Sequence, residues 1–337
     1  MNFDRYARQI AFEKIGRDGQ QKICASRAAI IGLGALGTVI ADELCRAGVG
    51  FLRLIDRDVV DISNLQRQVL YTEDDAREQI PKAFAAYAHL SKTNSEIKME
   101  PVFADVNSSN IEAFVSGVDL VLDGSDNFEL RYLLNEACHK HHIPWIYGGA
   151  VAASGSVMNI LDGGPCFRCL LPEVPAPGSY PVCATSGVLN MITGIVASIE
   201  AAEAVKILSG SQAVSKKYRA IDLWENTFDA VEVHKNPDCP VCGKGQYEFL
   251  GKSRGAYTTS LCGRDAIQVV PEKPAEIDFA AFAAALEKTG AVKCSPFMLS
   301  FDDGKTAFNL LKDGRAIIKN VKDEKQAKAV YAEYVGL

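Results

Sequence analysis

The feature that most constrains this chain is a glycine-rich break between an apolar run and a helical one. Ala28-Ala29-Ile30-Ile31-Gly32-Leu33-Gly34-Ala35-Leu36-Gly37 reads as a buried strand opening into G-x-G-x-x-G and then into helical spacing. Three glycines there let the backbone turn sharply, approach a phosphate closely and pack a helix on a strand, with the helix N-terminus facing the anion. A second apolar strand, Phe51-Leu52-Arg53-Leu54-Ile55, ends on Asp56, where a dinucleotide fold places the acid that meets ribose hydroxyls. Together they predict an α/β sheet that binds a nucleotide and leave its chemistry open.

The next segment narrows that chemistry. Residues 56–68, from Asp56 and Asp58 through Asn64 to Arg67 and Gln68, form a polar loop dense in Asp, Asn, Gln and Arg, and Pro81-Lys82 precedes a new helical run. Hydride transfer has no evident use for an arginine and a lysine at that place. Splitting a triphosphate does, because charge spreads over the phosphate oxygens in the transition state. The competing reading is a solvated surface loop.

Composition excludes some partners. The net charge of −6 does not favour nucleic acid or an anionic membrane surface. No run of 18 apolar residues exists and Met1-Asn2-Phe3-Asp4-Arg5-Tyr6 lacks a signal pattern, so a cytoplasmic location is expected. In that setting ten cysteines, four of them in two C-x-x-C pairs, point to metal or thiol chemistry rather than to disulfides. By itself Arg5-Tyr6-Ala7-Arg8-Gln9 reads as a solubilising arm, although such an arm can also carry an arginine to a phosphate.

Further along, Leu120-Val121-Leu122-Asp123 is another buried strand, emptying into Gly124-Ser125-Asp126-Asn127. Ligands of open α/β sheets sit beyond the carboxyl ends of strands, so Asp126 should face the crevice of the glycine loop and suits a magnesium ion beside a triphosphate. Asp123 or Asp126 could equally cap the helix that begins near Phe128. Cys166-Phe167-Arg168-Cys169 and Cys239-Pro240-Val241-Cys242 supply the ligands of a closed, structural four-cysteine zinc site, with redox dithiols as the alternative. The stretch between them is too long for a compact zinc ribbon, so the metal would pin distant parts of one domain. Cys183 lies in a Pro/Gly-rich segment ahead of a long helical pattern that starts at Val188. It reads either as a nucleophile or as a packed thiol.

In order, R-Y-A-R-Q, G-L-G-A-L-G, D-R-D, S-N-L-Q-R-Q, P-K, G-S-D-N, C-F-R-C and C-P-V-C resemble the ThiF, MoeB and HesA group of adenylating enzymes, which activate ubiquitin-like sulfur carriers. The resemblance covers residues 1–246. It implies a Rossmann-like sheet with flanking helices and a structural zinc site. It also implies that Gly32, Gly34 and Gly37 cradle ATP, that Asp56 and Asp58 lie near its ribose, and that Asn64, Arg67 and Lys82 contact its phosphates. Asp126 would help hold magnesium, and Arg8 would be supplied across a homodimer interface, which overturns the solubilising reading of the arm. Cys183 falls where relatives carry a cysteine used in sulfur transfer or a transient acyl linkage. Ser125 and Val182 stand where a threonine is common.

The mechanism implied is attack of the carrier's C-terminal glycine carboxylate on the α-phosphate, giving an acyl-adenylate and pyrophosphate. No general base is required, since the carboxylate is already ionised. A sulfur nucleophile then displaces the adenylate, from a cysteine desulfurase or another donor, or on Cys183. Residues 247–337 lie outside the core resemblance. Strands at Ala266 to Val270 and Lys293 to Phe301, two more within Lys305 to Val321, and helices at Asp278 to Glu287 and Asp323 to Tyr334 predict a small C-terminal α/β domain. Its Cys262 reads as a packed thiol, with a working thiol as the alternative. Similar extensions on bacterial thiamine-pathway members favour a ThiS-like carrier over a MoaD-like carrier of molybdopterin synthesis. Outside the family stand two other readings, an NAD-dependent oxidoreductase and a non-catalytic zinc-stabilised carrier-binding adaptor.

Overall fold

A computed structural model describes residues 3–175, 186–252, 257–260, 266–272 and 275–336. Two compact units divide the chain, Met1–Lys252 and Ser253–Leu337.

The first unit is built on an eight-stranded sheet. Its strands are β1 (Arg27–Ile31), β2 (Phe51–Asp56), β3 (Lys98–Phe103), β4 (Leu120–Asp123), β5 (Trp145–Val151), β6 (Ser154–Ile160), β7 (Lys217–Asp222) and β8 (Thr227–Glu232), in the spatial order β3-β2-β1-β4-β5-β6-β7-β8. β1 to β5 are parallel, and β6 to β8 continue the sheet antiparallel. The continuous apolar run of β1 is explained by burial on both faces, since Ala28 to Ile31 are at most 1% exposed.

One face packs the apolar stripes of helices Ala35–Ala47, Lys82–Thr93 and Asn190–Ser209 against Ile30, Leu52 and Leu54. The other packs helix Phe128–Lys140 and the aromatic rings of Tyr132, Trp145 and Phe167 against Ile31 and Val121. Strand order reverses between β1 and β4, so a crevice opens beyond their carboxyl ends.

Helix Phe128–Lys140 begins where the sequence places it, but neither aspartate caps it. Asn127 does, its Oδ1 accepting the Glu129 N–H at 2.9 Å. Both acids stay available for other partners.

The second unit is a six-stranded antiparallel sheet, β9 (Tyr257–Ser260), β10 (Ala266–Val270), β11 (Ala291–Cys294), β12 (Met298–Asp302), β13 (Ala307–Leu311) and β14 (Ala316–Lys319), in the order β11-β12-β13-β14-β10-β9. Helices Phe279–Leu286 and Glu324–Tyr334 contribute to one core with Phe301, Phe308, Leu310 and Ile318. The single strand expected over Lys293 to Phe301 is in fact two. Ser295 breaks it: its N–H donates to the Met298 carbonyl at 2.8 Å and its hydroxyl oxygen accepts the Met298 N–H at 3.1 Å. Pro296 then follows inside the turn, where its fixed φ is tolerated. Cys183 and Cys262 lie outside the described residues.

Candidate functional site

The glycine loop sits at the strand-order reversal. Gly32 has φ +90°, and a Cβ there would lie 2.7 Å from the Gly124 carbonyl. Side chains on Gly37 or Gly124 would overlap the Gly32 carbonyl. The ends of β1 and β4 and the first turn of helix Ala35–Ala47 are therefore in backbone contact with no room for substitution. Gly34 differs, because a Cβ there would meet nothing closer than 3.9 Å, from Gln68 Nε2 and the Gly124 oxygen. Its glycine keeps the space before the helix N-terminus open for an anion. Gln68 is 4% exposed, its Nε2 faces this space as a donor, and its Oε1 is buried without a hydrogen-bond partner among the described residues. The open cradle before the helix N-terminus, with the Gln68 amide N–H beside it, fits the phosphates of ATP.

Asp56, at the end of β2, locks this loop. One carboxylate oxygen accepts the Leu33 N–H at 2.6 Å and the other the Asp58 N–H at 2.7 Å. Burial pushes its carboxyl up, against the pull of Lys82. Tyr71 adds a buried hydroxyl donating to the Leu33 carbonyl at 2.8 Å. Lys82 opens its helix at the same place: its N–H donates to the Asp58 carbonyl at 2.9 Å and its Nζ lies 3.4 Å from the Asp58 carboxylate. Asn64 is buried, its Oδ1 accepting the Asp61 N–H in a reciprocal cap of the short helix Ile62–Asn64. Arg67 stands half-buried in the same polar loop, donating to the Ser63 carbonyl at 3.0 Å.

Beneath the loop after β4, Asp123 is fully buried and accepts from Arg131 Nε at 2.8 Å. Burial pushes the Asp123 carboxyl up, while Arg131 and two bonds from Ser125 pull it down. Arg131 also donates to the carbonyls of Ser125 and Gly148, at 2.7 and 2.9 Å. It thereby ties the β4 loop to β5 and leaves Asp126 exposed at the crevice, where it fits a magnesium ion carried by phosphates.

Glu200, on helix Asn190–Ser209, is wedged against Gly148, with both carboxyl oxygens buried and without a hydrogen-bond partner among the described residues. Burial pushes its carboxyl well above the ordinary range and the Asp123 charge adds to this, with Arg131 opposing. A raised folded-state value means a penalty that is absent below the unfolded glutamate value and grows as pH rises above it. Glu200→Gln should therefore stabilise the protein by about 1–2 kcal/mol at pH 8, with the gain shrinking toward pH 5. Thermal unfolding across that range checks this; an unchanged or lowered midpoint at pH 8 would show a charged, paired Glu200.

The N-terminal arm docks at the opposite end of the glycine-loop helix. Tyr6 packs under Gly48, its hydroxyl accepting from Asn94 Nδ2 at 2.9 Å, and Gln9 donates to the Ala47 carbonyl at 3.0 Å. Helix Ala35–Ala47 is roughly 18–20 Å long. Arg8, exposed on this arm, is thus held a helix length from its own chain's loop.

The four cysteines come together. Cys166, Cys169, Cys239 and Cys242 lie within 4.8 Å of one another through their sulfurs, with Cys166 to Cys239 at 3.6 Å and Cys169 to Cys242 at 3.4 Å. Tetrahedral zinc with sulfur at about 2.3 Å places sulfurs about 3.8 Å apart, so the donor set fits that ion. Cys166 begins a helical turn and Asn236 donates its N–H to Cys169 Sγ at 3.5 Å.

Sequence reasoning assigned no role to Gln68, Tyr71, Arg131 or Glu200. Gln68 was within a quoted motif; the other three carry no local signal, because their partners are distant in sequence.

A pattern described as the ThiF family matches residues 6–241. The Sulfur carrier protein ThiS adenylyltransferase of Bacillus subtilis (strain 168) is 37% identical over 336 residues, covering 98% of this chain and 99% of that protein. The SAMP-activating enzyme E1 of Haloferax volcanii is 43% identical over 248 residues, covering 73% of this chain and 91% of its own length. Among solved structures, E. coli MccB with ATP superposes with a TM-score of 0.63 at 24% identity, covering 72% of this chain and 75% of that one.

Proposed function

This chain belongs to the ThiF family, and from that premise we propose that it uses ATP to adenylate the C-terminal glycine carboxylate of a ThiS-like sulfur carrier in thiazole synthesis. The observation that carries the reading is the juxtaposition of the open glycine loop with Asp56, Asp58 and Lys82, joined by bonds of 2.6 to 3.4 Å. Near end-to-end similarity to a ThiS adenylyltransferase supports the choice of carrier, because the match includes the C-terminal unit that shorter relatives lack. The family also sets aside the nicotinamide and adaptor readings.

Gly32, Gly34 and Gly37 shape the phosphate cradle, and Asp56 and Asp58 border the ribose. The carrier's carboxylate oxygen attacks the α-phosphorus as the bond to pyrophosphate breaks. Asn64, Arg67 and Lys82 receive the charge that moves onto the phosphate oxygens. Magnesium, held by Asp126, supplies further charge neutralisation when bound with ATP. Arg8 cannot serve its own crevice from a helix length away, which supports a homodimer in which Arg8 of the partner subunit reaches the phosphates. The zinc site holds its two segments and takes no part in the chemistry. Cys183 is proposed as the thiol that receives the acyl group or relays sulfur from a desulfurase or other donor. A cytoplasmic enzyme suits a substrate set of ATP and a carrier protein.

Carrier-dependent exchange of labelled pyrophosphate into ATP tests this. Exchange with a ThiS-like carrier is expected. Exchange only with a MoaD-like carrier would move the enzyme to molybdopterin synthesis, and none with either, in folded and zinc-loaded protein, would overturn carrier activation in both pathways.

A further inference from the structure

Arg57 has no role in the chemistry above, yet it stands between the acids that border the crevice. It follows β2 directly, and its guanidinium donates to the Asp105 carboxylate beyond β3 at 3.2 Å. Its side chain is 24% exposed and that of Asp105 is 9% exposed. Burial disfavours the Arg57 charge, but Asp58, Asp105 and Asp126 together outweigh it and hold the group firmly protonated. One guanidinium thus bonds Asp105 and feels the charge of Asp58 and Asp126, acids that follow β2, β3 and β4. Lys82 is the other cation against Asp58.

We propose that Arg57 is a positioning residue: it is the resident counter-charge of the crevice, and it keeps Asp58, Asp105 and Asp126 from taking up a divalent cation until ATP brings one. The inference rests on the assignment of Asp126 to magnesium. A dication approaching Asp126 alone meets the repulsion of Arg57, and one approaching Asp58 that of Lys82. With ATP, the triphosphate charge offsets both cations, and the metal enters as the nucleotide complex. Loading of metal and nucleotide is thereby ordered. Arg57 also fixes the loop after β2, because its bond to Asp105 ties that loop to the end of β3.

The test uses full-length, zinc-loaded protein and Mn2+ as the probe, followed by electron paramagnetic resonance without nucleotide. Arg57→Gln should bind Mn2+ about tenfold more tightly than the unsubstituted protein, the scale of removing one neighbouring positive charge from a dication in a solvated site. Arg57→Lys should restore weak binding. A double variant, Arg57→Gln with Asp126→Asn, should lose the gain. Unchanged Mn2+ affinity in a folded Arg57→Gln protein overturns the inference. So does a raised KM for ATP without any change in Mn2+ binding, which would make Arg57 a nucleotide contact. If instead no carrier-dependent exchange is seen in the unsubstituted protein, the adenylation reading fails, whatever Mn2+ does.

Discussion

Arg67→Ala should lower carrier-dependent pyrophosphate exchange by about 10²–10³-fold, the scale of losing one charged donor to a developing anion. The loss should fall mainly on kcat, because Arg67 is assigned to charge that builds as the α-phosphorus is attacked. The fold should survive. The Arg67 side chain bonds only the Ser63 carbonyl, within its own loop, among the bonds the structure shows, and it is partly exposed. Truncating such a side chain changes stability by no more than about 0.5 kcal/mol. Lys82→Ala is less clean, since Lys82 is 5% exposed and its removal strips Asp58 of a cation. Steady-state exchange and thermal unfolding measured on the same Arg67→Ala preparation separate the two effects. Near-normal exchange would remove Arg67 from the phosphate site.

The first unit's nucleotide half was legible because its signals are local. Glycines 32, 34 and 37, the strand before them and Asp56 lie within one supersecondary unit, where backbone sterics dictate residue type. The bonds from Leu33 and Asp58 to Asp56 are the physical content of that spacing. Strands β7 and β8 escaped reading for an equally physical reason. All six residues of β8 are exposed, so no period-two burial pattern marks it. The Asp123–Arg131 pair was hidden as well. Asp123 reads as a helix cap until Asn127 is seen to fill that place, and a further partner of the arginine, Gly148, is on β5. Glu200 is a carboxyl in an apolar helical run, and only the third dimension shows that it abuts Gly148 and not solvent. Arg8 shows the limit from the other side. Motif resemblance implied that it is supplied across a homodimer interface, and packing at the far end of the helix from its own chain's loop is consistent with that.

Removal of the metal should produce the largest loss of stability. One zinc per chain is expected, and Cys239→Ser, or extraction with a strong chelator, should lower the unfolding midpoint by about 10 °C or more. For a unit of this size about 1 kcal/mol corresponds to roughly 2–4 °C, so the drop represents a few kcal/mol. That is well below the roughly 10–16 kcal/mol of an isolated zinc finger, because here the ion joins segments that other contacts already hold. Phe167, between the first two cysteines, packs edge-on against Tyr132 with ring centroids 5.3 Å apart, and Tyr132 stacks on Phe249 at 5.3 Å. Just beyond the second pair, Glu136 accepts the N–H groups of Glu248, Phe249 and Leu250 at 2.9, 2.7 and 2.9 Å. These contacts should keep the unit folded without zinc at low temperature. The glycine loop belongs to the ends of β1 and β4, and among the described residues none of its bonds runs through the cysteines. ATP binding should therefore persist in the chelated protein at 10 °C while the midpoint falls. Absence of zinc together with an unshifted midpoint in Cys239→Ser would return the four thiols to redox chemistry. Loss of ATP binding at 10 °C in chelated, folded protein would instead mean that the zinc site supports the crevice directly.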